Sequence, residues 1–278
     1  MKATRKVRVG DVTFGGSQLA VIAGPCAIES RELLERAATA VKSSGAHLLR
    51  GGAHKPRTSP RTFQGLGEEG VELLAEVGRR HALPIVSEVM DASQIAQMAE
   101  RVDLLQVGAR NMQNFSLLKE LARARRPVLL KRGFAATVDE WLRAADYLLD
   151  GGNESVILCE RGIRTFGAEM RFTLDLAAVA YARTRSDLPI IVDPSHATGI
   201  RELVTPMALA AVAAGADGIM VEVHPLPEQA LCDGAQALTP SGFESLMQKL
   251  QPVALAVGRT VSFTPRAVAA VPALLEAR

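Results

Sequence analysis

The sequence predicts an α/β protein, a (β/α)8 TIM barrel with a short N-terminal β-hairpin that closes the N-terminal mouth. Three observations predict this fold. The chain has 278 residues, close to the roughly 250 residues of such a barrel. Short β-branched runs alternate with longer stretches of helical spacing. This alternation occurs eight times, which favours a closed barrel over an open sheet.

The elements follow in order along the chain. Lys6–Phe14 alternates around the turn signal Gly10-Asp11 and predicts the hairpin. The predicted barrel strands are short and apolar: Leu19–Ala23, Ala46–Leu49, Pro84–Ser87, Leu104–Val107, Val128–Leu130, Ser155–Leu158, Ile190–Val192 and Gly218–Val221. The predicted helices lie between and after them: Glu32–Ser43, Glu68–Arg80, Ala92–Ala99, Phe115–Ala124, Val138–Leu149, Phe172–Ala182, Leu203–Ala214 and Ser241–Ala256. We expect a single catalytic barrel over residues 1–278, with residues 1–16 as the hairpin extension and no separate regulatory domain.

Composition excludes several classes of function. Thirty-two Lys+Arg against 30 Asp+Glu give a net charge of +2, so no basic field exists to bind nucleic acid or an anionic membrane. No apolar run approaches the roughly 18 residues of a membrane span, and no hydrophobic segment follows the basic start to make a signal peptide. We therefore expect a cytoplasmic protein. Three separated cysteines argue against a disulfide framework.

Polar side chains follow the predicted strands, at the end where barrels build their active sites. Basic residues are frequent there: Arg50, Lys55, Arg57, Arg110, Lys131 and Arg161. Any one of them alone is compatible with a solvated loop. Together in one mouth they need anionic partners, and arginine forks suit phosphate oxygens. The pattern predicts a small phosphorylated substrate.

A second group combines a thiol, an imidazole and carboxylates: Cys26, His196, Glu222 and Asp233. In a closed barrel the first strand lies beside the last, so these residues become neighbours. Such ligands predict one divalent metal ion, with Mn, Fe, Co and Zn all compatible. The competing interpretation is a structural buried cysteine, a histidine that bonds a turn, and exposed carboxylates.

Strand-end motifs over nearly the whole chain resemble a known family. They are Gly24-Pro25-Cys26, Arg50-Gly51-Gly52, Lys55-Pro56-Arg57-Thr58-Ser59-Pro60, Gln106-Val107-Gly108-Ala109-Arg110-Asn111, Lys131-Arg132-Gly133, Cys159-Glu160-Arg161-Gly162, Asp193-Pro194-Ser195-His196 and Val221-Glu222-Val223-His224-Pro225. In this order they are similar to the type Iβ subfamily of 3-deoxy-D-arabino-heptulosonate 7-phosphate (DAHP) synthases.

The resemblance implies a transferase. Its reaction would be a metal-dependent, aldol-type condensation of phosphoenolpyruvate with erythrose 4-phosphate and water, the first step of the shikimate pathway to aromatic amino acids. The implied catalytic residues are Arg50 and Lys55, and Glu88, which follows a predicted strand, is the third catalytic candidate. The implied substrate-binding residues are Arg57, Thr58, Ser59, Ala109, Arg110, Lys131 and Arg161. The implied metal ligands are the four residues of the second group. A homodimer or homotetramer is also implied. Some relatives carry a fused regulatory or chorismate mutase domain; because we expect none here, we also expect insensitivity to Tyr and Phe.

The sequence leaves the water-activating group and the aldose substrate open. Glu88 or a metal-bound hydroxide could activate the water. The sister enzyme 3-deoxy-D-manno-octulosonate 8-phosphate synthase, which uses arabinose 5-phosphate, shares the barrel and metal ligands. Its aldose loop typically reads Lys-Ala-Asn-Arg-Ser-Ser, whereas this chain has Lys-Pro-Arg-Thr-Ser-Pro at residues 55–60. Two further hypotheses are a Schiff-base aldolase that uses Lys131 and a barrel that only binds anions.

Overall fold

The structure is a computed structural model that describes residues 3–56 and 59–261. An antiparallel hairpin precedes the barrel, with β1 at Val7–Val9 and β2 at Val12–Phe14. Its turn requires a glycine, because Gly10 has φ +57° and a Cβ there would lie 2.7 Å from Cγ of Pro84. The apolar hairpin side chains are buried in one cluster with inward-facing barrel residues. The hairpin therefore closes the N-terminal mouth, and this prediction is confirmed.

Eight parallel strands form the barrel: β3 (Ala20–Gly24), β4 (Leu48–Arg50), β5 (Ile85–Glu88), β6 (Leu104–Val107), β7 (Val128–Lys131), β8 (Val156–Glu160), β9 (Ile190–Val192) and β10 (Gly218–Glu222). They follow one another around the barrel in chain order, and β10 closes it by pairing with β3. In this register Glu222 lies opposite Gly24. Segments that follow the first and last strands therefore meet at one rim, as the sequence predicts.

Helices cover the outside of the barrel, so its strands are buried on both faces. They are α1 (Arg31–Ser43), α2 (Glu68–Arg80), α3 (Ile95–Arg101), α4 (Phe115–Arg123), α5 (Val138–Asp150), α6 (Leu176–Arg185), α7 (Pro194–Thr198), α8 (Arg201–Ala213) and α9 (Pro240–Ala256). Side-chain caps set several starts: Ser30 Oγ accepts from Leu33 N, and Thr137 forms a capping box with Glu140.

Two details of the predicted helices are wrong. A helix was expected from Phe172, but α6 begins only at Leu176, because Thr173 pairs with Ile163 in an antiparallel bridge and Asp175 is the N-cap. The short helix α7 was not predicted at all, although an Asp N-cap followed by Pro is a recognised start signal. None of the helices in the described ranges is long and apolar enough to cross a membrane.

Candidate active site

Four potential metal-ligand side chains converge at the C-terminal rim of the barrel. One donor atom each of Cys26, His196, Glu222 and Asp233 lies within 4.8 Å of the others. His196 Nε2 is 3.1 Å from Glu222 Oε1, and Cys26 Sγ is 3.4 Å from Asp233 Oδ2. Thiolate, imidazole and carboxylate donors at this spacing fit a first-row divalent cation. The structure thus brings together the four residues that the sequence singled out.

Helix α7 orients the imidazole of His196. Its N-cap, Asp193, accepts the backbone N–H of His196 at Oδ1 (3.0 Å) and the ring Nδ1 at Oδ2 (2.7 Å). Because a carboxylate can only accept, the Nδ1 proton is fixed there and Nε2 faces the cluster. Burial alone would lower the pKa of His196, but Asp193 and Glu222 offset it and raise the pKa to about 9. A protonated ring carries a second proton on Nε2, and a metal cation bound at Nε2 would take the place of this proton.

Arg50 and Glu222 form a buried ion pair beneath the cluster. Arg50 Nη1 donates to Glu222 Oε1 at 2.7 Å, and their side chains are 5% and 0% exposed. Burial would raise the pKa of Glu222, but His196 and Arg50 hold it well below its usual range. Glu222 therefore stays a carboxylate and is ready to act as a ligand.

The ammonium group of Lys55 lies against Cys26. Its Nζ donates to Cys26 O and lies 3.0 Å from Cys26 Sγ. Gly52 makes room for it, since a Cβ there would come within 2.8 Å of Lys55 Cδ. Cys232 Sγ is 3.3 Å from Cys26 Sγ. This hydrogen bond, followed by burial and by Glu222, raises the pKa of Cys26 well above its usual range.

A cationic cavity opens beside these groups. Its walls include Lys55, Glu88, Ala109, Arg110, Lys131 and Arg161, together with His196 and Asp233. The first six are all residues that sequence analysis assigned to catalysis or substrate binding. The positive charges therefore face the same space as the potential metal ligands, which suits a small substrate that carries phosphate and carboxylate groups.

Arg161 is held in the wall but not neutralised. Its guanidinium lies 4.3 Å from the ring centroid of Phe172 and 4.8 Å from that of Phe134. Nη2 donates to His196 O (3.2 Å), whereas the buried Nη1 has no hydrogen-bond partner among the described residues. Burial lowers the pKa of Arg161 to about 10. An unpaired buried N–H is costly, so this atom is suited to an incoming anion.

Lys131 and His196 share one carboxylate oxygen. Lys131 Nζ donates to Asp193 Oδ2 at 2.6 Å, the same atom that accepts His196 Nδ1. Its neighbour Arg132 binds Glu160 instead, away from the cavity. Asp193 therefore links the cationic wall to the potential metal ligands.

Glu88 stands at the end of β5 on the cavity wall. Its Oε2 accepts from Gln106 Nε2 at 3.0 Å. Gly108 allows its carboxylate to approach the backbone, because a Cβ at this position would lie 2.1 Å from Glu88 Oε1. The structure thus places a carboxylate and the ammonium group of Lys55 on the walls of the same cavity.

The structure describes part of the expected aldose loop. Arg57 and Thr58 lie outside the described residues. Ser59 is described and half-buried; its Oγ accepts from Arg61 N, and it is not among the described residues that line the cavity. The roles of these three residues stay predictions.

Sequence reasoning missed three residues of this site. Phe134 lines the cavity, although no sequence motif singles it out. Arg171 also lines it and donates to Asp233 Oδ2 at 3.2 Å. Gln236 donates to Glu222 Oε2 at 2.7 Å. The only indication of Gln236 in the sequence is its position, three residues after Asp233 in the same loop.

A closed (β/α)8 barrel with a cationic cavity and convergent metal-ligand side chains at its C-terminal rim defines a TIM-barrel enzyme. The family follows from comparison with known proteins. A model of the DAHP synthetase I family matches residues 2–256. The chain belongs to this family and is an enzyme of the transferase class.

Individual relatives agree with the family. Phospho-2-dehydro-3-deoxyheptonate aldolase from Thermotoga maritima is 48% identical over 256 residues, which cover 92% of this chain and 76% of the relative. A crystal structure of the T. maritima enzyme has a TM-score of 0.90 at 48% identity and is matched over 93% of this chain and 76% of that one. The 2-dehydro-3-deoxyphosphooctonate aldolase of Geobacter sulfurreducens is 32% identical, with 90% of this chain and 98% of the relative covered.

Proposed function

We propose that this protein condenses phosphoenolpyruvate with erythrose 4-phosphate and water to give DAHP and inorganic phosphate, with one divalent metal ion. The observation that carries the proposal is the shared cavity, in which cationic side chains and four convergent metal-ligand atoms face each other. The 48% identity to a phospho-2-dehydro-3-deoxyheptonate aldolase supports the same reaction. We propose this as the first step of the shikimate pathway.

The cationic wall would bind phosphoenolpyruvate. Arg161 supports this role through its unpartnered Nη1, and Arg110 lies near the same aromatic ring, 5.3 Å from the centroid of Phe134. Lys131 adds a compact charge beside them. Ala109 is small and leaves room at the wall. The loop with Arg57, Thr58 and Ser59 would receive the phosphate of erythrose 4-phosphate.

The four donors fit a Mn, Fe, Co or Zn ion, because sulfur and imidazole are poor ligands for calcium and magnesium. Such an ion, held by Cys26, His196, Glu222 and Asp233, would polarise the aldehyde as a Lewis acid. The surrounding residues already orient these donors. Asp193 fixes the imidazole, and Arg50 holds Glu222 charged.

Two protein groups would move the protons. A carbon–carbon bond forms between C3 of phosphoenolpyruvate and the aldehyde carbon, and Lys55 Nζ gives a proton to the aldehyde oxygen. Water adds at C2, and Glu88 accepts its proton. Phosphate then leaves as the bond from C2 to its bridging oxygen breaks, and the proton of the new C2 hydroxyl goes to the departing phosphate, so that C2 becomes a ketone carbon. Lys55 and Glu88 line the same cavity, which supports Lys55 as the proton donor and Glu88 as the proton acceptor.

The deciding experiment measures phosphate release from phosphoenolpyruvate with each aldose, before and after treatment with a chelator. We expect turnover with erythrose 4-phosphate, its loss on chelation, and its return when a divalent ion is added. Faster release with arabinose 5-phosphate would favour the octulosonate reaction of the 32% identical relatives. Activity that survives chelation, with substrate trapped by borohydride on Lys131, would favour a Schiff-base aldolase.

Cys26→Ser provides the matched test of the centre, since it keeps a similar shape but removes the thiolate. We expect it to lose metal and turnover together. Unchanged metal content and rate would contradict the proposal.

The remaining proposals concern assembly, location and control. We propose a cytoplasmic homodimer or homotetramer, supported by the resemblance to the family and measured by light scattering and cell fractionation. Insensitivity to Tyr and Phe also stays a prediction. Inhibition of the protein by either amino acid at sub-millimolar concentration would contradict it.

A further inference from the structure

Gln236 lies between two carboxylates of the candidate metal centre. It ends a 3-10 turn, Gly234–Gln236, and is 3% exposed. Its Nε2 donates to Glu222 Oε2 at 2.7 Å and lies 3.4 Å from Asp233 Oδ2. One amide group thus spans the two acids.

The hydrogen bond from Gln236 to Glu222 fixes the plane of the Glu222 carboxylate. Oε1 of this group accepts from Arg50 at 2.7 Å and lies 3.1 Å from His196 Nε2. Oε2 is bound by Gln236. With both oxygens held, the carboxylate cannot rotate without losing a buried hydrogen bond, which costs about 1–3 kcal/mol.

Arg171 fixes the direction of the amide. Its Nη1 donates to Gln236 Oε1 at 3.0 Å. A guanidinium has donors only and a carboxylate has acceptors only. A flipped amide would therefore place N–H groups against Arg171 and an oxygen against Glu222 and Asp233, so the observed orientation is the only satisfied one.

Backbone hydrogen bonds hold Gln236 in this position. Leu238 N donates to Glu222 O (2.8 Å), and His224 N donates to Leu238 O (3.0 Å), so the loop is tied to the end of β10. Asp233 itself has φ +54°, a left-handed conformation that is uncommon outside glycine. The amide helps to hold this residue, whose backbone conformation is unfavourable by itself.

We propose that Gln236 is a positioning residue of this centre: its amide holds the carboxylates of Glu222 and Asp233 in the orientation in which both can coordinate one divalent cation. The inference rests on the proposed function and adds a residue to it. Partners that hydrogen-bond metal ligands typically change metal affinity 10- to 100-fold when they are replaced.

The test is Gln236→Met, which keeps the length of the side chain and removes the donor. Its matched control is Gln251→Met, on the exposed face of α9. Each metal-free protein is titrated with Co2+, and the thiolate-to-cobalt absorbance reports binding at Cys26. We expect one ion per wild-type chain, a dissociation constant roughly 10- to 100-fold higher for Gln236→Met, and a wild-type value for Gln251→Met.

A purely structural role would lower the melting temperature of the metal-free variant and leave the dissociation constant unchanged. That result, or a constant within about twofold of wild type, would overturn the inference while the proposed function stands. If wild-type protein shows no thiolate-to-cobalt absorbance, both fall. If Gln236→Met does not fold, Gln236→Asn keeps the amide at shorter reach, and a wild-type constant for it would also overturn the inference.

Discussion

Replacing Asp193 by Asn should disturb both the cationic wall and the potential metal ligands, because Asp193 contacts both Lys131 and His196. Oδ2 of Asp193 accepts from His196 Nδ1 and from Lys131 Nζ. Asn replaces one of the two carboxylate oxygens by an N–H donor. At the Oδ2 position this donor would face the ammonium of Lys131 and make His196 Nδ1 an acceptor, so that the ring proton would move to Nε2, the atom that faces Glu222. At the Oδ1 position it would face the backbone N–H of His196 and remove the N-cap of α7.

The magnitude follows from burial. Lys131 and Asp193 are 5% and 0% exposed, and breaking a buried pair destabilises by about 3–5 kcal/mol. At roughly 2.1 cal/mol/K per residue, a chain of 278 residues loses about 1 °C of Tm for each 0.6 kcal/mol. The expected fall is about 5–9 °C. Metal affinity should weaken about 10- to 100-fold in either orientation, because the imidazole of His196 loses the carboxylate partner that orients it.

The assays are thermal unfolding of the metal-free protein and a Co2+ titration. Asp187→Asn is the matched control: it removes a carboxylate 3.2 Å from Arg5, but these side chains are 39% and 31% exposed. Such a pair is worth less than about 1 kcal/mol. We expect its Tm to fall by less than about 2 °C and its metal affinity to stay at the wild-type value. Equal Tm losses in the two variants would refute the buried-pair reasoning, and a wild-type dissociation constant in Asp193→Asn would refute the orienting role of Asp193.

Three further predictions concern other residues. Burial lowers the pKa of His47 from 6.5 to about 4. The unfolded chain therefore binds that proton at the higher pH, and the free energy of unfolding should fall by about 3 kcal/mol as the pH falls from above 6.5 to below 4; urea titrations of His47→Gln should lack this loss. Phe134→Leu removes the ring beneath Arg161 and should raise the KM for phosphoenolpyruvate about fivefold, from about 1 kcal/mol of cation–π energy, with kcat nearly unchanged; an unaltered KM in initial-rate assays would contradict it. Gly108→Ala should displace the carboxylate of Glu88 and lower kcat at least about tenfold with little change of Tm; wild-type turnover would speak against a proton-accepting role for Glu88.

Much of the barrel could be predicted because its signals are local. Each barrel strand is a short apolar run, and each end of a predicted helix lies within four residues of the observed one. The site could be predicted as far as it consists of residues at the ends of strands, such as Arg50, Lys131 and Glu222. Barrel closure alone then brings the ends of the chain together.

The rest depends on contacts that no local pattern encodes. Arg171 directly precedes the expected helix, and its place is set by a backbone hydrogen bond to Thr198 O. Phe134 looks like an ordinary packing residue until Arg161 stacks on it. Gln236 gains its role only when β10 and the following loop pair. These residues are fixed by tertiary structure, and sequence spacing gives at most a weak indication of them.

The pairing of β10 with β3, which closes the barrel, also sets the order in which the site can be assembled. Cys26 and Asp233 are 207 residues apart in the chain, and synthesis at about 5–20 residues per second separates their appearance by roughly 10–40 s. Throughout that interval Cys26 lacks at least one of the three residues that surround it later. The four side chains can therefore come together only after β10 and the loop behind it have been made.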